Sequence, residues 1–265
     1  LNCVNITSVS IPASVTSIGI NAFDSCYELM YVKLPNNITA IKSCTFTLCK
    51  KLSSIIIPES VNSIYSFAFQ KSGLTSIFIP KSVNKIGYYI FQSCFKLESI
   101  NVAVENQAFM SKKGVLFNHD GTTLYAYPGG KKGRYSIPYG VTKIFECAFY
   151  NFSELSYVSI PDSVSSIGWY AFGYCPELSS IIIPPSVARL NLNTFGYCKK
   201  LSLVIYLSES ISGSSNVFDG CPNLKEVHVL PSYSFDSSCG RNVIRCIKNG
   251  SCGASTTYIF DNCTG

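Results

Sequence analysis

The sequence predicts an α/β or mainly β repeat protein, a solenoid built from coils of 23 residues. Phenylalanines recur at intervals of 23, 23, 22, 58, 23, 23 and 23 residues, at Phe23, Phe46, Phe69, Phe91, Phe149, Phe172, Phe195 and Phe218. Prolines keep the same intervals, at Pro12, Pro35, Pro58, Pro80, Pro138, Pro161 and Pro184. A 23-residue unit cannot bury its apolar stripes alone, whereas stacked units can, so two columns in register predict a stack.

Composition agrees with a folded chain and argues against several function classes. Hydrophobic residues make up 47% of the chain and charged residues 14%, which is the reverse of a disordered composition. The net charge of +6 is too mild to indicate nucleic-acid binding. Two histidines and one tryptophan provide few groups for acid–base chemistry. No apolar run reaches the length of a membrane span, so we expect any membrane anchor to lie outside this sequence.

Each coil follows the template LxxIxIPxSVxxIxxxxFxxCxx, clearest in LSYVSIPDSVSSIGWYAFGYCPE from Leu155. In LxxIxIP the first, fourth and sixth positions face inward, because side chains alternate along a strand, and these strands predict a concave parallel β-sheet. Proline then ends the strand, since it has no N–H to donate. The SVxxI segment is expected to return as a second short strand or a 3₁₀ turn, and the Phe and Cys columns fill the back of the coil.

One coil carries an insertion of 35 residues between Val102 and Ile137, because its interval of 58 is 23 plus 35. Within it, VLFN and TLYAYP alternate well enough to pair as a β-hairpin. We therefore predict a repeat solenoid over residues 1–235, with a hairpin insertion at about 103–136. Residues 236–265 are predicted to form a Cys-rich C-terminal cap.

The cysteines fall into two groups. One repeat position holds Cys3, Cys26, Cys49, Cys94, Cys175, Cys198 and Cys221, which we interpret as small buried hydrophobes. No histidine and no CxxC pair accompanies them, so no metal site is expected. The other group lies within 25 residues of the predicted cap, at Cys239, Cys246, Cys252 and Cys263. Short caps with little core often need disulfides, so we predict two bridges with three pairings open; a Cys₄ zinc site is the alternative.

The register also predicts which side chains point outward from the sheet. The third and fifth strand positions hold small hydroxyl residues together with exposed aliphatic and aromatic residues, and only a few charges. The candidate ligand-binding residues are taken from these positions: Tyr31, Lys33, Ile56, Phe78, Asn101, Arg134, Tyr157, Ile182, Leu203, Ile205 and His228. Exposed apolar patches of this kind suit contact with a protein.

A basic patch is a second candidate site. Five of the 21 basic residues fall within 23 positions of the insertion: Lys112, Lys113, Lys131, Lys132 and Arg134. Such a cluster suits an anionic partner such as a glycosaminoglycan or an acidic protein, although a solvated surface is the simpler explanation. No GxSxG motif, Walker loop or carboxylate pair occurs, so we expect no catalytic residues, no cofactor and no enzymatic activity.

The repeat strings, clearest from Ile160 to Leu178, resemble the 23-residue BspA-like, or treponemal, type of the leucine-rich repeat superfamily. The insertion from Ser111 to Pro138 also resembles one that recurs in that family. The resemblance covers roughly residues 3–229. It implies an extracellular adhesion or recognition module, at the cell surface or secreted, that binds host-cell or matrix proteins such as fibronectin. An intracellular scaffold built on the same repeats, and polyanion binding through the basic insertion, are the alternatives.

Overall fold

The computed structural model describes residue 3 and residues 5–208, 212–214, 216–230, 242–245 and 257–258. The chain divides into two compact units, Leu1–Lys131 and Lys132–Gly265. The division falls inside the predicted insertion. The predicted boundary between solenoid and cap, at residues 235 and 236, stays a prediction.

The described part of the first unit is built from ten short strands and contains no helix. In chain order they are β1 (Ser8–Ser10), β2 (Tyr31–Lys33), β3 (Ala40–Ile41), β4 (Ser63–Ile64), β5 (Ser76–Ile79), β6 (Lys85–Ile86), β7 (Ser99–Val102), β8 (Phe109–Lys112), β9 (Val115–Asn118) and β10 (Thr123–Ala126). The LxxIxIP strands pair in parallel as β1–β2 and as β5–β7. The SVxxI strands pair in parallel as β3–β4–β6. The SVxxI segment is therefore a short strand in these coils.

The described part of the second unit repeats this arrangement, again without a helix. Its strands are β11 (Gly133–Ser136), β12 (Lys143–Ile144), β13 (Leu155–Ser159), β14 (Ser166–Ile167), β15 (Ser180–Ile183), β16 (Arg189–Leu190), β17 (Leu203–Tyr206), β18 (Ser212–Gly213), β19 (Glu226–Val229), β20 (Asn242–Arg245) and β21 (Thr257–Tyr258). One sheet has the order β11–β13–β15–β17–β19–β20–β21, and β12, β14, β16 and β18 form the second row. All neighbours are parallel except β20 and β21.

The phenylalanine column is the core of both units, as predicted. The rings stack face to face at 5.4–6.0 Å between centroids from Phe23 to Phe91, and at 4.8–5.7 Å from Phe149 to Phe218. Phe23 is half-buried, whereas the other seven are buried. The inward strand positions pack against this column, for example Ile77 and Ile79 on β5. Burial of each such side chain stabilises the fold by roughly 1.5–3 kcal/mol.

The segment that carries the phenylalanines has a backbone that the sequence does not reveal. Among the described residues, 15 non-glycine residues have positive φ, and all but Lys113 form two columns, four residues apart in each coil. The first column is Asn21, Cys44, Phe67, Tyr89, Cys147, Tyr170 and Asn193, and the second is Ser25, Leu48, Lys71, Ser93, Asn151, Tyr174 and Tyr197. These N–H groups donate across coils, as Leu48 does to the Gln70 carbonyl at 2.8 Å and Tyr174 to that of Gly196 at 2.7 Å. We call this part of each coil the turn segment.

Cysteines occupy the predicted buried column and add a hydrogen bond to it. The thiol of Cys175 donates to the Phe149 carbonyl of the preceding coil at 2.9 Å. Cys49, Cys94, Cys198 and Cys221 repeat this contact one coil back at 3.0–3.2 Å. Cysteine therefore fills a small buried volume and also satisfies a carbonyl, which an alanine there cannot do.

Residues 103–136 contain the predicted hairpin, the additional strand β8, and β11, which pairs with β13 and so belongs to the repeat rather than to the insertion. β9 and β10 pair antiparallel as expected, and β8 adds to the other edge of β9. Lys113 and Gly114 turn the chain between β8 and β9 with φ of 51° and 79°, which is the positive-φ pair that a type I′ hairpin turn requires. The insertion packs on its own unit, where the Ile100 N–H donates to the Gly114 carbonyl at 2.9 Å.

Candidate binding face

Side chains that point outward from the LxxIxIP strands form what we call the front face of each unit. The pleat decides its composition, because alternate residues of each strand are committed to the core. On β5 the pattern is Ser76 exposed, Ile77 buried, Phe78 exposed and Ile79 buried. No candidate ligand-binding residue is buried: each is exposed or half-buried in the described structure. Whether these residues bind a ligand remains a prediction.

In the first unit, the front face carries three large exposed hydrophobic side chains. Ile56 is 84% exposed, Tyr31 is 56% exposed and Phe78 is 53% exposed. Lys33 and Asn101 are exposed on β2 and β7. The core does not need these side chains, since the inward residues of the same coils already fill it. Their exposure to water therefore has no explanation in the packing of the unit.

One coil of this face is not a regular strand. Residues 53–57 carry no strand assignment, so β1–β2 and β5–β7 are separate sheets. The alternation nevertheless persists, with Ile55 and Ile57 buried and Ile56 exposed. Phe78 therefore lies on a regular strand, β5, whereas Ile56 does not. Packing against the core thus maintains the alternation of buried and exposed side chains, although the strand pairing is interrupted here.

In the second unit, the front face is a continuous sheet with an apolar centre. Ile182 on β15 is paired in register with Ile205 on β17, and Ile205 with His228 on β19. Ile182 is 40% exposed, whereas Ile205 and His228 are half-buried. Leu203, also half-buried, lies two residues before Ile205 on the same face. Ile182, Leu203 and Ile205 form an apolar patch that we call the isoleucine patch.

At one end of this face, Arg134 lies against an aromatic ring. Arg134 on β11 pairs in register with Tyr157 on β13, and the guanidinium carbon lies 5.6 Å from the Tyr157 ring centroid. This distance is within the range of a cation–π contact, which holds the guanidinium over the ring. Arg134, predicted both as a face residue and as part of the basic patch, therefore projects from the front face.

The remaining basic residues belong to the two units separately. Lys112 is exposed, and its ammonium nitrogen lies 5.8 Å from the Phe117 ring centroid. Lys113 is exposed at the β8–β9 turn, and Lys131 is half-buried. Lys132 is exposed at the start of the second unit. The four cysteines of the predicted cap, Cys239, Cys246, Cys252 and Cys263, lie outside the described residues, so the two predicted disulfides stay a prediction.

The buried thiols are poor nucleophiles and poor metal ligands. Burial raises the pKa of Cys49 and of Cys175 to about 12, and that of Cys94 to about 11. Because of these raised pKa values, the thiols stay protonated near neutral pH. The reactive form is the thiolate, which is therefore scarce. Within the described ranges, no three His, Cys, Asp or Glu side chains come together as a metal site would require. The described part of the chain also contains no helix that is long and apolar enough to cross a membrane.

Four tyrosines meet on the turn segment of the second unit, and the sequence analysis did not single them out. Tyr174 and Tyr197 stack at 4.5 Å between ring centroids, while Tyr150 lies 5.1 Å from Tyr174 and 5.7 Å from Tyr170. The Asn193 side-chain amide donates to the Tyr170 hydroxyl at 2.7 Å. Burial raises the pKa of Tyr150, so its phenol stays protonated. The available signal was Tyr150, at a position that holds small or polar residues in the other coils.

The repeat geometry can now be compared with known proteins. A family model described as "BspA type Leucine rich repeat region" matches the chain in six copies, over residues 1–115 and 125–242. The chain belongs to the BspA-type leucine-rich repeat proteins. This confirms the resemblance drawn from the strings around Ile160 to Leu178. No curated protein matches the chain.

Solved structures of leucine-rich repeat proteins share the fold. A leucine-rich repeat protein from Eubacterium ventriosum is 24% identical with a TM-score of 0.74, and the match covers 91% of this chain and 73% of that one. A leucine rich cell surface protein from Faecalibacterium prausnitzii is 26% identical with a TM-score of 0.65, covering 86% and 74%. Pneumococcal vaccine antigen PcpA is 21% identical with a TM-score of 0.63, covering 88% and 60%. The leucine-rich repeat fold of this BspA-type chain is thereby confirmed.

Proposed function

We propose that this chain is a non-enzymatic recognition module that binds a protein ligand through the apolar residues of its front faces. The observation that carries the proposal is the exposure of Phe78 and Ile56, which are 53% and 84% exposed although the inward residues of their coils already fill the core. A strand side chain that the core does not use, and that water does not favour, gains free energy when a partner covers it. The front face presents few charges, which suits a protein surface more than a nucleic acid.

We place the module at the cell surface, or secreted, with a host-cell or matrix protein as its ligand. The support is the membership in the BspA-type family together with the 26% identity to a leucine rich cell surface protein. The intracellular scaffold is the competing proposal, and the cap cysteines separate the two. Peptide mapping without reduction should find Cys239, Cys246, Cys252 and Cys263 in two bridges; four alkylatable thiols would favour the scaffold.

The direct test is binding of purified variants to fixed epithelial cells and to immobilised matrix proteins such as fibronectin. Phe78→Ser and Ile205→Ser should each reduce binding, because each removes apolar area from a front face. Tyr139→Ser is the matched control, since it removes an aromatic side chain that is 86% exposed but lies in the turn after β11, away from the front face. Circular dichroism should confirm that every variant is folded.

Polyanion binding through the basic patch is a second candidate function. It is favoured by the exposure of Lys112, Lys113 and Lys132, none of which forms an ion pair within the described residues. The double variant Lys131→Ala/Lys132→Ala tests it in the same assay. Loss of binding in this variant alone would move the site to the basic patch, and retention of binding by it and by both front-face variants would contradict both proposals.

A further inference from the structure

The front face of the second unit holds an oriented cation, Arg134, in the same sheet as its isoleucine patch. The Arg134 guanidinium is held over the Tyr157 ring, and among the described residues it takes part in no ion pair. Stacking on a ring leaves the edge of the guanidinium, where its N–H donors lie, available to a partner. A guanidinium that is already positioned loses less side-chain entropy when it binds a carboxylate.

The strand register fixes how far this cation lies from the apolar residues. Tyr157 pairs with Ser180, and Ser180 pairs with Leu203, so Arg134 and Leu203 occupy one outward row, three strands apart. With about 4.8 Å between neighbouring strands, the separation is on the order of 14 Å. Ile182 and Ile205 lie in the next outward row of the same sheet. An extended segment of roughly four residues spans that distance.

We infer that this face binds a protein segment in which an acidic side chain stands about four residues from a cluster of apolar ones. The carboxylate is bound by the Arg134 fork, and the apolar side chains cover Ile182, Leu203 and Ile205. Planar guanidinium groups bind carboxylates through two parallel hydrogen bonds, which gives both strength and orientation. The inference rests on the proposed function and names the chemistry of the partner for the second unit.

A polyanion fits this face less well than an acidic, apolar protein segment. A polyanion gains affinity from several cations along its length. On β13, β15 and β17 the outward positions beyond Arg134 are Tyr, Ser, Ile and Leu, so a ligand lying across these strands meets one cation among apolar and hydroxyl side chains. Arg134 selects a ligand with an acidic residue, and the isoleucine patch provides the apolar surface that the ligand buries.

The test selects phage-displayed random 12-residue peptides on the full chain. Peptides enriched on the wild-type chain should combine Asp or Glu with Ile, Leu, Val or Phe about four residues away. The best peptide is then synthesised with its acidic residue and with the matching amide. For the wild-type chain the amide form should bind about tenfold or more weakly. For Arg134→Gln the two forms should bind alike, because the partner of the carboxylate is gone.

Three further variants, Arg134→Lys, Lys132→Gln and Ile205→Ser, make the result decisive. Arg134→Lys keeps the charge but not the fork, and should restore only part of the preference for the acidic peptide. Lys132→Gln removes a neighbouring exposed charge and should leave the preference intact. If the peptides require Ile205 but ignore Arg134, the inference fails while the proposed function stands. If none depends on Ile205, the inference fails, and dependence on Phe78 would keep the proposed function for the front face of the first unit. If they are polyacidic and depend on Lys132, or if no peptide is enriched, the inference and the proposed site both fail.

Discussion

Asn106 shows how one side chain attaches the insertion to the repeat stack. Its amide nitrogen donates to the carbonyls of Pro80 and Val83 at 2.8 and 2.9 Å. Its side-chain oxygen accepts from the N–H groups of Ala108 and Phe109 at 2.8 Å each. Asn106 is buried, so these four backbone groups form their hydrogen bonds with its side chain rather than with water. The sequence did not indicate this role, because an asparagine at the start of a long insertion usually means a turn.

Replacing Asn106 should therefore destabilise the fold. Asn106→Ala leaves buried backbone groups without a hydrogen-bond partner, and we expect the free energy of unfolding to fall by on the order of 3 kcal/mol. Urea denaturation measures it. Gln107→Ala is the control, since Gln107 is exposed and bonds only to the nearby Glu105 carbonyl. Equal denaturation midpoints for the two variants would show that Asn106 does not anchor the insertion.

The buried cysteines predict a loss of stability at alkaline pH. Burial raises the pKa of Cys175 from 9.0 to about 12, so the folded state retains a proton that the unfolded state releases. Stability should be constant below about pH 9 and should fall as the pH rises from about 9 towards 12. Each such thiol contributes up to about 1.4 kcal/mol per pH unit.

Urea denaturation at several pH values between 8 and 11 measures this loss. Cys175→Ser removes one titrating thiol, so its free energy of unfolding should decline less steeply with pH than that of the wild-type chain. Parallel curves for the two proteins would show that the Cys175 thiol does not titrate differently in the folded and unfolded states.

At the scale of elements, the turn segment explains how the coils stack without helices. A left-handed backbone costs roughly 1–2 kcal/mol for a non-glycine residue. Lys71 adopts φ of 55°, and its N–H donates to the Gln92 carbonyl of the next coil at 2.8 Å. Alternate N–H groups thus bond between coils while the intervening ones bond within a coil, as Gln70 does to Phe67. Bonding between coils maintains a conformation that local preference disfavours.

A glycine at such a position should be tolerated better than elsewhere. Lys71 is exposed, so Lys71→Gly relieves the backbone without removing a buried contact. Lys81→Gly is the matched control, since Lys81 is also exposed and its φ is not positive. We expect Lys71→Gly to be more stable than Lys81→Gly by about 1–2 kcal/mol in thermal or urea denaturation. The opposite order would mean that the Lys71 backbone is not left-handed in solution.

The strands and the core were predictable, and the turn segments were not. Ile77 and Phe78 alternate with a period of two, so the inward and outward positions follow from the pleat alone. The left-handed columns hold Asn, Ser, Cys, Leu and Tyr rather than Gly, so they give no local signal. β8 was missed because FMSK has no strand alternation and pairs only once β9 is in place. The tyrosine cluster depends on contacts between coils, which no single repeat displays.

At the scale of the whole molecule, stability comes from the stack more than from charge. Two ion pairs each join one coil to the next at the same repeat positions. They are Glu28 with Lys51 at 2.6 Å and Glu177 with Lys200 at 2.7 Å. All four side chains are exposed, so each pair contributes little. The chain carries a net charge of +6, yet its front faces carry few charges. The proposed recognition through the front faces therefore uses a surface with few charges, so its dependence on salt distinguishes it from binding through the basic patch.

The salt dependence of binding tests the central claim most directly. The dissociation constant of the full chain for a matrix protein that it binds should be measured from 50 to 500 mM NaCl. If recognition uses the front faces, the dissociation constant should rise by no more than about threefold over this range, because apolar contacts are not screened and few charges take part. The Lys131→Ala/Lys132→Ala variant should give the same curve. A rise in the dissociation constant of a hundredfold or more over this range would contradict the account. If the double variant did not show this salt dependence, recognition would be assigned to the basic patch.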